Sequence, residues 1–290
     1  RTPKMTLLTC LLLASFAGLP SGRAQDVTAR LASDVPPADA NALTLKYVIG
    51  DAVSLTSKEY PEVEKALQRF RNRDAAGAQE YLELAKEKYP KLPPADIMMA
   101  KMQILNRNAQ AVQFYLERAA TQTPEDPEAF LMLADAAFKA ERTAESLAMF
   151  EYAAPLVDKF TGNTKRKNRF DVRILAGQAA VAERRQQWDR ASDYLKQWLA
   201  VDPENAMAHT RMGIVYFRLN EAKPSLAEFT KARDIDPALP HPFVSLGKLF
   251  TANGDNDKAR KSFEKAYQEN MSDPQVAQAY IEWLIQQEEL

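Results

Sequence analysis

Chemistry at a protein site needs groups that move protons, hold metals or attack electrophiles, and this sequence brings few of them together. Its only two histidines, His209 and His241, are far apart in sequence. Two isolated imidazoles make neither a zinc site nor a nucleophile–base–acid triad. The single cysteine, Cys10, lies inside an apolar run. The carboxylate pairs Glu125-Asp126 and Glu288-Glu289 fall in charged stretches, where solvation is their ordinary role. No glycine-rich phosphate loop occurs, and Asn270-Met271-Ser272 fits an N-glycosylation acceptor by pattern alone. One dense cluster of like charge remains: Lys165, Arg166, Lys167, Arg169 and Arg173. It suits phosphates or an acidic partner, with a solvated loop as the commoner explanation. The net charge of −1 and the lack of interleaved aromatics argue against nucleic acid. The residues therefore predict no enzyme, no cofactor, no metal and no small-molecule substrate, and they leave binding to another protein.

The elements that would present such a surface are helical. Apolar residues are 46% of the 290 and charged residues 27%, with only 9 glycines. Good helix formers (Ala, Leu, Glu, Lys, Arg, Gln) dominate, so the fold class is predicted as all-α. The first 24 residues differ. Arg1 and Lys4 precede the apolar run Met5–Pro20, and small residues follow at Gly22 and Ala24. That is the layout of a secretory signal peptide cleaved after Ala24, with a run too short for a comfortable membrane span. An exported chain, periplasmic or secreted, is expected. Residues 25–58 read as a flexible leader and an unassigned lead-in. Within them, Leu43–Ser57 is a candidate helix covering the start of the segment from Glu59.

From Glu59 the chain repeats. Pro90 and Pro124 lie 34 residues apart, as do Pro203 and Pro237. Placing each proline at place 32 of a 34-residue unit gives units at 59–92, 93–126, 127–160, 172–205, 206–239 and 240–273. An insert falls at 161–171 and a terminal helix at 274–290, either a cap or the first half of another unit. Place 8 then reads Ala66, Ala100, Ala134, Ala179, Gly213, Gly247, and place 24 reads Leu82, Leu116, Phe150, Leu195, Phe229, Phe263. Place 27 is Ala in five units and Trp198 in the fourth. Small residues let two helices approach, the large residue fills the gap, and stacked neighbours complete a core that one hairpin cannot. Trp198 implies looser or shifted packing in its unit. The insert predicts longer helices around a loop.

The units containing Met212-Gly213, Tyr216, Phe229, Ala232, Pro237 and Phe243, Leu246-Gly247, Phe250, Ala259, Phe263, Ala266 resemble the tetratricopeptide repeat (TPR) family. The resemblance covers Glu59 to Leu290. It implies a right-handed α-solenoid of about six hairpins plus a C-terminal helix, whose first helices line a concave groove for a protein or peptide. Carried over by place, the groove is Val63, Leu67, Phe70, Ile97, Ile104, Leu131 and Phe138, with Lys101 and Asp135 among them. The later units offer a more mixed half: Arg173, Ala176, Ala180 and Glu183; Met207, Thr210, Ile214 and Phe217; His241, Val244, Lys248 and Thr251. Such a stripe would take an apolar peptide or amphipathic helix. Place 11 lacks a large residue in the first three units, so Phe70, Ile104 and Phe138 have a second option, which is to turn into the core. The carboxylate-gripping clamp of the chaperone-binding subset is absent, since Val63, Leu67, Met98, Glu128 and Met132 occupy its places. The resemblance implies a non-catalytic interaction scaffold of the cell envelope or secreted space. The alternative is a module of a larger protein beside a catalytic domain or partner enzyme.

Overall fold

The structure, a computed structural model, describes residues 43–50 and 60–288. The expected signal peptide, the leader up to residue 42 and residues 51–59 lie outside it. Fourteen helices and no strand occur among the described residues. They are α1 (Leu45–Ile49), α2 (Pro61–Arg71), α3 (Ala75–Lys88), α4 (Ala95–Leu105), α5 (Ala109–Gln122), α6 (Glu128–Lys139), α7 (Thr143–Asp158), α8 (Thr164–Arg184), α9 (Trp188–Val201), α10 (Ala206–Arg218), α11 (Ala222–Ile235), α12 (Pro242–Ala252), α13 (Asn256–Glu269) and α14 (Pro274–Gln286). From α2 onward they pair as antiparallel hairpins, each packed on the next, and α14 stands alone at the end. The architecture is an all-α solenoid.

Each first helix ends in the same way. The backbone turns left-handed at Arg73, Arg107, Glu141, Gln186, Asn220 and Gly254, with φ between 55° and 76°. These six positions are all place 15. The following N–H reaches back to a carbonyl five residues earlier, as in Asp74 to Arg69 (3.0 Å) and Asp255 to Phe250 (3.0 Å). This Schellman-type closure satisfies the helix-end carbonyls and points the chain back along its partner. Only the sixth unit uses glycine there, so in five units the tertiary packing holds a side chain in a conformation that glycine adopts more easily. Asp74, Asn108 and Asp255 then cap the second helices by accepting a backbone N–H at 2.8, 3.1 and 3.2 Å.

The small-residue column does what its chemistry requires. A Cβ on Gly213 would stand 2.8 Å from the Phe229 ring, and one on Gly247 would stand 2.8 Å from Phe263. Those helices are in contact across a glycine with no room for a methyl. Ala66, Ala100, Ala134 and Ala179 are fully buried at the same place. Trp198 is fully buried too. Its neighbours Ala176, Ala179, Ala191 and Ala208 are small, which makes room for the indole. Ala232→Leu, at place 27 of the fifth unit and 1% exposed, is expected to cost about 1–3 kcal/mol by overpacking. Urea unfolding measures this, and an unchanged midpoint would contradict the packing register.

The insert supplies a short loop at 161–163 between two long helices, α7 and α8, and its remainder is helical. Residues from Thr164 onward are the opening turns of α8, the longest helix at 21 residues, started by the Asn163 side chain accepting from Lys165 N–H at 2.8 Å. The basic cluster therefore lies on a helix.

A candidate protein-binding wall

The first helices α2, α4, α6, α8, α10 and α12 form one wall, and polar side chains knit neighbours across it. Lys101 of α4 donates to Glu128 of α6 at 2.6 Å. Arg166 of α8 reaches Glu128 at 2.6 Å and Asp126 at 2.9 Å. Arg173 of α8 pairs with Asp135 of α6. Arg211 of α10 donates to Glu183 at 3.0 Å and to the Ala176 carbonyl at 3.0 Å, both on α8. These groups are nearly all buried, so each is paired, as the cost of an isolated buried charge requires. Burial pushes the Glu128 carboxyl up, but Lys101 and Arg166 outweigh it and hold the group far below its ordinary value of 4.5. At Glu183 burial wins over the attraction of Arg211, and its carboxyl is raised.

The seven residues expected to line an open groove are placed differently. Val63, Ile97 and Leu131 are fully buried, and Leu67, Phe70 and Phe138 are 3–6% exposed. Only Ile104 is half-open. They do not form an exposed apolar stripe: Ile97 packs between α4, α5 and α6, and the chain itself covers most of the others. Helix α1 packs on α2 and α4. Its Val48 and Ile49, with Leu43 just before it, share a cluster with Val63, Leu67, Phe70, Met98 and Met102. Farther along, the opening turns of α8 lie on α6, and Leu131 joins a cluster with Phe150, Val157, Phe170 and Ile174. Phe138 packs with Ala180 and Val181 of α8 under the Arg184 guanidinium, 4.1 Å from its ring centre. The two coverings approach each other: a Cβ at Gly50 would stand 3.5 Å from Arg169 Nη1.

Of the basic cluster, Arg166 and Arg173 are consumed in these pairs, and Lys167 lies 3.7 Å from Asp171. The wall opens farther on. Met207, Thr210, Ile214 and Thr251 are half-buried and Lys248 is exposed, whereas Phe217, His241 and Val244 are buried. Both histidines sit in local networks. His209 lies 2.5 Å from Glu228 and 2.9 Å from the Pro203 carbonyl. Burial, with Arg233 nearby, lowers the pKa of His241, which edges a cavity of about 290 Å³ beside Arg233 and Glu269. Among the described residues no group of three His, Cys, Asp or Glu is arranged to hold a metal ion. No described helix is long and apolar enough to cross a membrane.

Sequence reasoning offered the first covering segment as a candidate helix within Leu43–Ser57, and missed the covering by α8 and the ion pairs between units. A signal for the second was present: charges at wall places 2, 9 and 12 have opposite-signed counterparts in the adjacent unit.

Comparison with known proteins agrees with this geometry. The sequence matches the tetratricopeptide repeat profile over residues 105–159 and 176–240. No match was found among curated proteins. Among solved structures, the type IV pilus biogenesis factor PilW is 19% identical, with a TM-score of 0.51 over 75% of this chain and 96% of that one. The Pseudomonas aeruginosa protein PilF is 12% identical, with a TM-score of 0.52 over 78% and 96%. At these identities the likeness is one of fold.

Proposed function

Because this chain is a tetratricopeptide repeat protein, we propose that it is a non-catalytic scaffold of the cell envelope or secreted space that holds a peptide or helix of a partner protein on the wall of its first helices. One observation carries the reading: the wall already seats a short apolar helix, α1, across α2 and α4. The stretch formed by Met207, Thr210, Ile214, Lys248 and Thr251 offers the same architecture left open, with apolar and polar groups side by side. Export is supported by the basic, apolar and small-residue order of residues 1–24.

The test is affinity capture from envelope extracts on the chain and on the double variant Met207→Asp with Lys248→Glu. Lys248 is exposed, whereas Met207 is half-buried against the cluster of Trp198 and Met212, so urea unfolding of the variant is measured beside the capture to show that it stays folded. The reading expects a defined protein held by the parent and lost by the variant. Equal capture by both would refute this stretch as the site.

A second reading makes the array a module beside a catalytic domain or partner enzyme. It is favoured by α14, where Ile281 and Ile285 are 49% and 59% exposed. Ile281 stands at place 8, which complete units cover with their second helix.

A further inference from the structure

Helix α1 is little more than one turn long, and a helix that short has no stability of its own. Its order comes from what it buries. Leu43, Val48 and Ile49 are 5%, 0% and 1% exposed. They share a cluster with Val63, Leu67 and Phe70 from α2 and with Met98, Met99 and Met102 from α4. Three of these are methionines, whose unbranched side chains adapt to ligands of differing shape. Polar contacts fix its ends. Thr44 caps it by accepting the Tyr47 N–H at 3.2 Å, Gly50 closes it with φ 58°, and Arg71 Nη2 donates to the Leu43 carbonyl at 2.7 Å. The covered residues include places 5, 9 and 12 of the first unit, the places that in the fifth and sixth units stay partly open at Thr210, Ile214, Lys248 and Thr251.

We propose that α1 is a built-in occupant of a helix-binding site on α2 and α4, which a partner's short amphipathic helix of the same chemistry takes in its place. That chemistry is a leucine followed five residues later by two adjacent β-branched residues, with a free backbone carbonyl at the start for Arg71. The proposal rests on the protein-binding reading above and gives it a second site with a regulated entrance. A tethered occupant competes at an effective concentration of order millimolar. A partner therefore binds weakly until α1 leaves.

The experiment uses the full chain and a fluorescent peptide copying residues 43–50. In the variant Val48→Asp with Ile49→Asp, α1 cannot hold its place. Peptide affinity should rise by about tenfold or more over the parent, because the open fraction rises by that factor. A peptide with the same two aspartates should not bind. No gain in the variant, or equal binding of the aspartate peptide, overturns the proposal. Hydrogen exchange on the unaltered chain gives a second readout that needs no variant. The Val48 and Gly50 amides should exchange at least about tenfold faster than those in the middle of α4, reporting local opening. If they exchange together with α4, α1 is ordinary core and the proposal is overturned. A stable dimer sensitive to Val48→Asp with Ile49→Asp would also overturn it, in favour of α1 exchange between copies. Peptide binding kept in the Met207→Asp, Lys248→Glu variant while partner capture is lost would separate the two sites. Peptide binding lost in that variant would count against α2 and α4 as its seat.

Discussion

Replacing Arg166 with alanine should destabilise the protein by about 3–5 kcal/mol, the loss typical of removing one member of a buried ion pair. The side chain is 8% exposed and satisfies two carboxylates that are themselves 13% and 8% exposed. It donates to both oxygens of Asp126 at 3.0 and 2.9 Å, and to Glu128 Oε2 from Nε at 3.2 Å and from Nη2 at 2.6 Å. Its guanidinium also lies 5.1 Å from the Phe160 ring centre and 4.9 Å from that of Phe170. Without it, Asp126 loses its salt bridge and Glu128 keeps only the one with Lys101. The exposed pair Lys258–Asp255 is the control, because removing Lys258 should change stability by no more than about 1 kcal/mol. Chemical denaturation of the two variants measures both.

In the same cluster Glu128 makes the parent protein acid-sensitive, opposed by Asp126, whose carboxyl burial raises. Glu128 is held below its ordinary value of 4.5 in the folded state. A depressed carboxylate contributes stability that is fully present above its unfolded pKa and is lost as pH falls below that value toward the folded one. The stability curve should therefore bend downward below about pH 4.5, and Arg166→Ala should flatten that bend by removing part of what depresses the group.

The hairpin register was legible because it is written in residue size at a fixed interval. A glycine or alanine at place 8 and a large residue at place 24 leave one way for two helices to nest. The Gly213–Phe229 and Gly247–Phe263 contacts follow from that. Trp198 was legible as a departure but not in its consequence. The indole is accommodated with no exposure, in a cluster that also holds alanines at 176, 179, 191 and 208. The wall was harder to read. Periodicity tells which face of a helix is apolar but not what lies on that face. Val63 and Leu131 have the right spacing for a groove, and whether they are open depends on segments outside their own units. One of those segments is the five-residue α1. The other is the insert, whose run of basic residues suggests solvated loop when taken alone. Its Arg166 and Arg173 become helix anchors only in view of Asp126, Glu128 and Asp135, some 40 residues earlier.

The central claim is that the chain covers the first half of its own wall, so that residues spaced to line a groove serve as core. Leu131→Ala tests it most directly. Leu131 is fully buried in a cluster with Phe170 and Ile174 of α8, and no charge is introduced to complicate the comparison. Urea unfolding of the variant should show a loss of about 2–5 kcal/mol, the cost of a cavity in a packed interior. A variant within about 0.5 kcal/mol of the parent, as for a residue facing an open groove, would contradict the claim.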